Sequence, residues 1–284
     1  MKPVLEVVAV AGLCTVQDLG RPGRMHEGIP PGGAVAPGLL MRANGGVRNA
    51  LGDAVIEAFG TLSVVLHAER AMAVALDDGV TVPLEPGERF DLLPSKNTRV
   101  RYLAVRGGID VPMALGGRGT LLVANLGGFE GRALRRGDRL PIGALAEVKS
   151  ENFPAYGLPG ARPFHVHIGP DLGSFEAEAI KRLLASTFMV SPASDRMGTR
   201  LIGPTLLRRG EDRQASAPMV RGAIEVSASG EAIVLGPDHP TTGGYPILAV
   251  VSFADVGRLF ATPVRGAVRF IAALPDDQEI TSPT

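Results

Sequence analysis

Short β-branched and aliphatic runs recur along this chain, each cut off within a few residues by Gly, Pro or Asp. That pattern points to many short strands joined by tight turns, as in barrels and sandwiches. The 37 glycines and 23 prolines supply the turns, and tryptophan is absent. A length of 284 residues suits two domains, although an all-β chain of that size can also be one unit.

Charge narrows the partners. Lys+Arg and Asp+Glu both number 29, so the formal net charge is zero. Neither a nucleic-acid groove nor an anionic membrane is expected as the main partner. A near-neutral surface is poorly protected against association, which fits an oligomer or a partner subunit. Cys14 is the only cysteine, so no intrachain disulfide forms, in keeping with a reducing cytoplasm. Of the histidines only His165 and His167 lie close together. An i, i+2 pair shares one face of a strand, but further ligands are lacking and no metal is expected.

Lys2 opens an apolar run to Leu13, and Ala9-Val10-Ala11 has the look of a cleavage site. Glu6 interrupts the run, which continues into Val16-Gln17-Asp18-Leu19-Gly20-Arg21, so a first strand over Val4 to Val10 is the better reading than a signal peptide. No apolar run approaches the length of a membrane span.

Further strands are expected at Ala54 to Phe59 and Leu62 to Leu66 around a Gly60 turn, at Met72 to Leu76, and at Arg99 to Val105. Asp77-Asp78-Gly79 reads as a turn. Pro37 to Ala50 has loose helical spacing, broken near Gly45-Gly46. Glu151 to Pro163 reads as a linker, dividing the chain into 1–155 and 156–284. Beyond it, a strand at Phe164 to Ile168 precedes a helix over Ser174 to Ser186, with Ser174 as N-cap. Strands follow at Phe188 to Val190, Ala223 to Val226, Ile233 to Leu235, Ile247 to Val251 and Val268 to Ala272. Phe253 to Phe260 is a short helix.

Two loops carry the chemistry. Ser194-Asp195-Arg196-Met197-Gly198-Thr199-Arg200 packs a carboxylate and two arginines beside glycine. Thr241-Thr242-Gly243-Gly244-Tyr245-Pro246 presents two hydroxyls, two glycines and a tyrosine. Such loops let backbone N–H groups, guanidinium and hydroxyls converge on an oxyanion. Tight turns collect the same residue types, so a purely structural role stands beside that reading.

Six motifs occur in order: Thr15-Val16-Gln17-Asp18-Leu19-Gly20-Arg21, Gly28-Ile29-Pro30, Gly107-Gly108-Ile109, Gly131-Arg132-Ala133-Leu134, Ser194-Asp195-Arg196-Met197-Gly198, and Thr241-Thr242-Gly243-Gly244-Tyr245-Pro246. Together they resemble the allophanate hydrolase subunit 2 family, also called biotin-dependent carboxyltransferase-like. That family includes the C-type subunit of 5-oxoprolinase, KipA-like regulators and the carboxyltransferase domain of urea carboxylase. The resemblance implies a mainly β fold of two cyclophilin-like β-barrel domains with a few short helices. It implies a cytoplasmic heteromeric complex with a B-type and an A-type subunit, ATP as cofactor of the complex, and a small amide or lactam substrate. In 5-oxoprolinase that complex opens 5-oxoproline to glutamate. Phosphorylating the amide oxygen makes a poor electrophile reactive, and cations and oriented N–H groups are needed around it.

On this resemblance the candidate catalytic residues are Asp195, Arg196, Arg200 and Tyr245. Arg196 and Arg200 would hold a carboxylate or phosphate. Asp195 would orient one of them or act as a base, or be a turn residue. Tyr245 would donate a hydrogen bond or be a core ring. Thr241, Thr242, Gly243 and Gly244 would form the oxyanion loop. Gln17, Asp18 and Arg21 would line a first-domain pocket, or, for Asp18 and Arg21, merely close a turn. Arg118 and Arg132 are lesser anion-binding candidates.

The chain departs from the family pattern. A serine and an aspartate usual in the loop at Gly28 to Ala36 are Gly32 and Ala36 here. Gly117 and Gly119 flank Arg118 where serines are usual. Glu225 and Ala261 stand where glutamines are usual. The losses concentrate in the first half and imply a first-domain pocket that binds something different, or weakened chemistry. Two other functions fit the family: carboxyl transfer from carboxybiotin to a urea-like amide, with biotin carried on another chain, and a non-catalytic KipA-like regulatory subunit.

Overall fold

The computed structural model describes residues 2–145, 162–209 and 215–273. It is mainly β, with three α-helices among the described residues. The chain divides into two compact units, Met1–Pro159 with Phe260–Pro263, and Gly160–Leu259 with Val264–Thr284. The expected linker lies, up to residue 161, outside the described residues.

The first unit contains β1 (Val4–Gln17), α1 (Pro37–Gly46), β2 (Val55–His67), β3 (Met72–Leu76), β4 (Thr81–Leu84), β5 (Arg89–Leu92), β6 (Arg101–Val105) and β7 (Arg139–Pro141). Its sheet runs β4-β3-β6-β2-β1-β7, with β5 added on β2. Leu5, Val7, Val16, Ile56, Val64 and Leu103 pack in its core. Each such side chain contributes about 1.5–3 kcal/mol through burial.

β1 and β2 correct two expectations. The first strand continues to Gln17 rather than stopping at Val10, and the two strands expected around Gly60 are one. Gly60 opposes Gly12 in the antiparallel register, with φ of 142° and 96°. A Cβ at either position would collide with a carbonyl of the facing strand, so the glycines let two long strands pass each other without turning. The expected turn at Asp77-Asp78-Gly79 is present. Asp77 is buried in it, and its Oδ1 accepts from Arg101 Nε at 2.7 Å and Tyr102 N at 2.9 Å.

The second unit contains β8 (Phe164–Ile168), α2 (Ala177–Ala185), β9 (Thr187–Val190), β10 (Gly198–Ile202), β11 (Ala217–Pro218), β12 (Ala223–Val226), β13 (Ala232–Leu235), β14 (Thr242–Gly243), β15 (Ile247–Val251), α3 (Phe253–Ala261, whose end groups with the first unit) and β16 (Ala267–Ala272). Seven of these strands close a barrel in the order β10-β13-β12-β15-β8-β16-β9. The β16–β8 pairing is parallel. Phe164, Phe188 and Phe270 fill the interior, with ring centroids 6.4 and 6.1 Å from Phe270. That spacing is in the favoured range for tilted aromatic pairs.

Helix α2 starts later than the sequence suggests. Ser174 closes a 3-10 turn through its N–H to Asp171 O, and Phe175 is extended, bridging Arg208. The N-cap is therefore Glu176, which makes no side-chain cap bond. A local strand contact overrides the Ser174 capping signal.

Candidate functional site

In the barrel unit, Asp195 is a turn residue. Its Oδ1 accepts from the N–H of Met197 at 2.8 Å and of Gly198 at 3.0 Å, an Asx-type turn that aims the chain into β10. The turn places Arg196 inside, 3 % exposed. Arg196 Nε donates to Asp238 Oδ2 at 2.8 Å and Nη2 to Asp238 Oδ1 at 2.9 Å. The carboxylate that Arg196 holds therefore belongs to the protein itself. Arg200 lies on β10 and donates to the half-exposed Glu231 at 2.8 Å. The two arginines thus serve two different carboxylates rather than one common anion.

Asp238 is followed directly by His239, Pro240 and the Thr241–Tyr245 loop. Thr242 and Gly243 form β14 against Ala217 and Pro218, and Met219 N–H donates to Thr241 O at 3.0 Å. The Arg196–Asp238 pair therefore anchors the entry of this loop, and β11 anchors its middle. Tyr245 is 41 % exposed, so its ring is not a core element. Its hydroxyl and the Thr241 and Thr242 side chains are the loop's polar groups beside its backbone.

Two buried ionisable groups lie at this loop, and sequence reasoning gave neither a role. His239 is fully buried, and its Nδ1 sits 2.7 Å from Pro240 O, an acceptor, so the ring proton resides on Nδ1. Burial pushes its pKa below the ordinary histidine range. Glu225, on β12, is pushed above the ordinary carboxyl range by burial. Perturbed groups next to a glycine loop mark candidate sites. The adjacency of Asp238-His239 to Thr241 was the available signal for the histidine.

In the first unit, Gln17, Asp18, Arg21 and Arg118 do come together, around one loop. Gln17 Nε2 donates to Thr120 O at 3.0 Å. Asp18 accepts from Gly20 N and Arg118 N. Arg21, 1 % exposed, donates to the carbonyls of Ala114 and Gly119. These side chains clamp the 114–120 loop to the end of β1. Arg118 Nη1 bonds Val111 O and Asp110 Oδ1. Arg132 stands apart, forked onto Asp138 at 2.8 and 2.9 Å and onto Glu130. Those carboxylates hold its guanidinium firmly in the charged form.

The glycines that replace family serines have a physical account. A Cβ at Gly119 would stand 2.7 Å from Gln17 Oε1 and 2.8 Å from Asp18 Oδ1. One at Gly117 would stand 2.7 Å from Gly20 O. At 117 the obstacle is backbone, whereas at 119 the ends of the Gln17 and Asp18 side chains would have to move aside. The Gly28–Ala36 loop is tied down as well: Val35 N–H donates to Glu57 Oε2 at 2.9 Å and Ala36 N–H to the Tyr102 hydroxyl at 3.0 Å. Asn44 and Asn49 are structural, Asn44 Nδ2 reaching Asp53 O at 2.8 Å and Asn49 Nδ2 reaching Val105 O at 2.9 Å.

His165 and His167 do not form a metal site with a third ligand; no group of three or more metal-ligating acids, histidines or cysteines exists among the described residues. His165 Nδ1 instead pairs with Asp255 at 3.0 Å. Among the described residues no helix is long and apolar enough to cross a membrane.

Fold and loops define a mainly β, two-unit protein in which buried guanidinium groups organise glycine-rich loops. A family model described as carboxyltransferase domain, subdomain A and B, matches residues 27–272. The chain belongs to that family. It is 33 % identical to the C-type subunit of 5-oxoprolinase from Escherichia coli (strain K12) over 281 residues, covering 94 % of this chain and 91 % of that protein. It is 30 % identical to the corresponding 5-oxoprolinase subunit of Haemophilus influenzae, covering 95 % and 91 %. The crystal structure of the K. lactis urea amidolyase superposes with a TM-score of 0.85 at 25 % identity, over 96 % of this chain but only 19 % of that one.

Proposed function

We propose that this chain is the C-type subunit of a 5-oxoprolinase-type complex and contributes to ATP-dependent opening of 5-oxo-L-proline to L-glutamate. The observation that carries the reading is its 33 % identity to a 5-oxoprolinase subunit of that type along 91 % of that protein's length. The reading includes B-type and A-type partner subunits, ATP bound by the assembled complex, and a cytoplasmic location.

The chemistry asks for stabilisation of negative charge on a phosphorylated lactam oxygen and on the tetrahedral adduct formed when water attacks. In the barrel unit that work falls to the Thr241–Tyr245 loop, through its hydroxyls and backbone N–H groups. Arg196 acts one step back: by fixing Asp238 it fixes the start of the loop. Asp195 sets the turn that buries Arg196. The first-unit residues Gln17, Asp18 and Arg21 hold a loop in place.

The test is co-purification with B-type and A-type subunits, followed by assay of glutamate release and ATP consumption. The reading expects both to depend on 5-oxoproline. A verified, assembled complex that releases no glutamate would sink it. A second reading, transfer of a carboxyl group from carboxybiotin on another chain to a urea-like amide, is favoured by the 27 % identity to the urea amidolyase of Saccharomyces cerevisiae, of which this chain spans 16 %. Bicarbonate- and biotin-dependent ATP consumption with urea, and none with 5-oxoproline, would decide for it.

A further inference from the structure

Glu225 is a buried acid that the fold does not explain. It lies on β12, opposite Ile233 of β13 and Ile247 of β15, and is 8 % exposed. The register against β15 shifts between Ile224 and Glu225, and such an irregularity re-aims a side chain. Glu225 Oε1 would be 2.9 Å from a Cβ at position 243, and Met219 Cε would be 2.8 Å from it. Residue 243 is thus glycine where this carboxyl group and Met219 close in beneath the loop. The surrounding apolar cluster is Met219, Ala223, Leu235 and Ile247. No donor or cation among the described residues compensates the carboxyl, and burial raises its pKa. A ligand that supplies the hydrogen bond a buried polar group lacks is favoured there.

We propose that Glu225 reads the ligand of the Thr241–Tyr245 loop, its protonated carboxyl donating a hydrogen bond to the carbonyl oxygen of a neutral amide or lactam seated over Gly243. This rests on the amide-directed reading above and names a residue that recognises the substrate. The same loop segment carries a second buried ionisable group. His239 Nε2 is buried, bears no proton while Nδ1 donates to Pro240 O, and has no partner among the described residues. The groups that face Glu225, namely Ile233, Ile247, Gly243 and Met219, carry no charge, so its own protonation sets the donor.

The experiment uses the assembled complex and three forms: wild type, Glu225→Gln and Glu225→Leu. The KM for 5-oxoproline is measured across pH, with the thermal midpoint as a check on folding. In the wild type, KM rises as pH climbs past the elevated carboxyl pKa and the donor is lost. Glu225→Gln flattens that rise, because a carboxamide donates at every pH. Glu225→Leu raises KM about five- to tenfold at low pH, the worth of one neutral hydrogen bond. A folded Glu225→Leu complex with wild-type KM overturns the proposal. If the complex does not turn over 5-oxoproline at all, the functional reading fails and the site is tested by saturation-transfer NMR with 2-pyrrolidone as probe. Signal lost in Glu225→Leu then upholds the assignment; equal signal, or none in the wild type, overturns it.

Discussion

Arg196 and Asp238 meet as a two-point pair, Nε to Oδ2 at 2.8 Å and Nη2 to Oδ1 at 2.9 Å, with side chains only 4 % and 5 % exposed. The pair joins the turn before β10 to the loop before β14. The two segments that look most like ligand-binding loops in the sequence are thereby tied together. Arginine suits this place because its planar fork matches a carboxylate at two points, which the single ammonium of lysine does not.

Replacing Arg196 with Ala therefore strands a buried carboxylate. The expected loss is about 3–5 kcal/mol of folding stability, measured by denaturant unfolding. Arg196→Met combined with Asp238→Leu should recover most of it, because no unpaired charge remains. Loss of activity in Arg196→Ala alone would then not identify a ligand contact. An additive double variant, as unstable as the sum of its single changes, would show that the two residues do not act as a unit.

The strand-rich class is legible because it rests on local pattern. The strands of the second unit were placed to within a residue or two at Ala223, Ile247 and Val268. What escaped is set by distant pairing. Gly60 reads locally as a turn, and only its position opposite Gly12 makes it part of a continuous strand. Asp238 and Arg196 are 42 residues apart, so no window of sequence links them. The grouping of Gln17, Asp18, Arg21 and Arg118 was visible as motifs. That they bind carbonyls and backbone N–H groups was not, because the clamped loop lies about a hundred residues away.

Tyr102 and Glu57 make a second long-range tie. The Tyr102 hydroxyl donates to Glu57 Oε2 at 2.7 Å and accepts from Ala36 N–H at 3.0 Å. Tyr102→Phe removes both bonds inside the first unit and should cost about 1–3 kcal/mol. Amide hydrogen exchange should show the Ala36 N–H losing protection along with the Gly28–Ala36 loop. Unchanged protection at Ala36 would mean that the hydroxyl does not hold the loop.

Cys14 is fully buried on β1, and burial, then the nearby Glu57 charge, pushes its thiol up to about 12. The thiolate is the reactive form, so the native protein should resist an aromatic disulfide reagent at pH 8 and react with one equivalent once unfolded. Rapid reaction of the folded protein would show that β1 opens locally or that the thiol is less enclosed than this.

Asp255 gives a pH dependence whose sign follows from its partners. Burial alone would raise its pKa, but the His165 N–H at 2.8 Å and Arg258 at 2.9 and 3.2 Å outweigh that and hold it below the ordinary aspartate value. A depressed folded-state pKa means stability that is present above the unfolded value and is lost as pH falls through the folded one. Asp255→Asn should cost roughly 3 kcal/mol at neutral pH, at the low end for a broken buried pair. Arg258 keeps the carbonyls of Arg162 and Pro163 and its place 3.9 Å over the Phe164 ring. The gap between wild type and Asp255→Asn should narrow below about pH 4, where the aspartate takes up a proton. Urea midpoints of the two proteins from pH 7 down to pH 3 measure it, and a gap that widens on acidification would reverse the assignment.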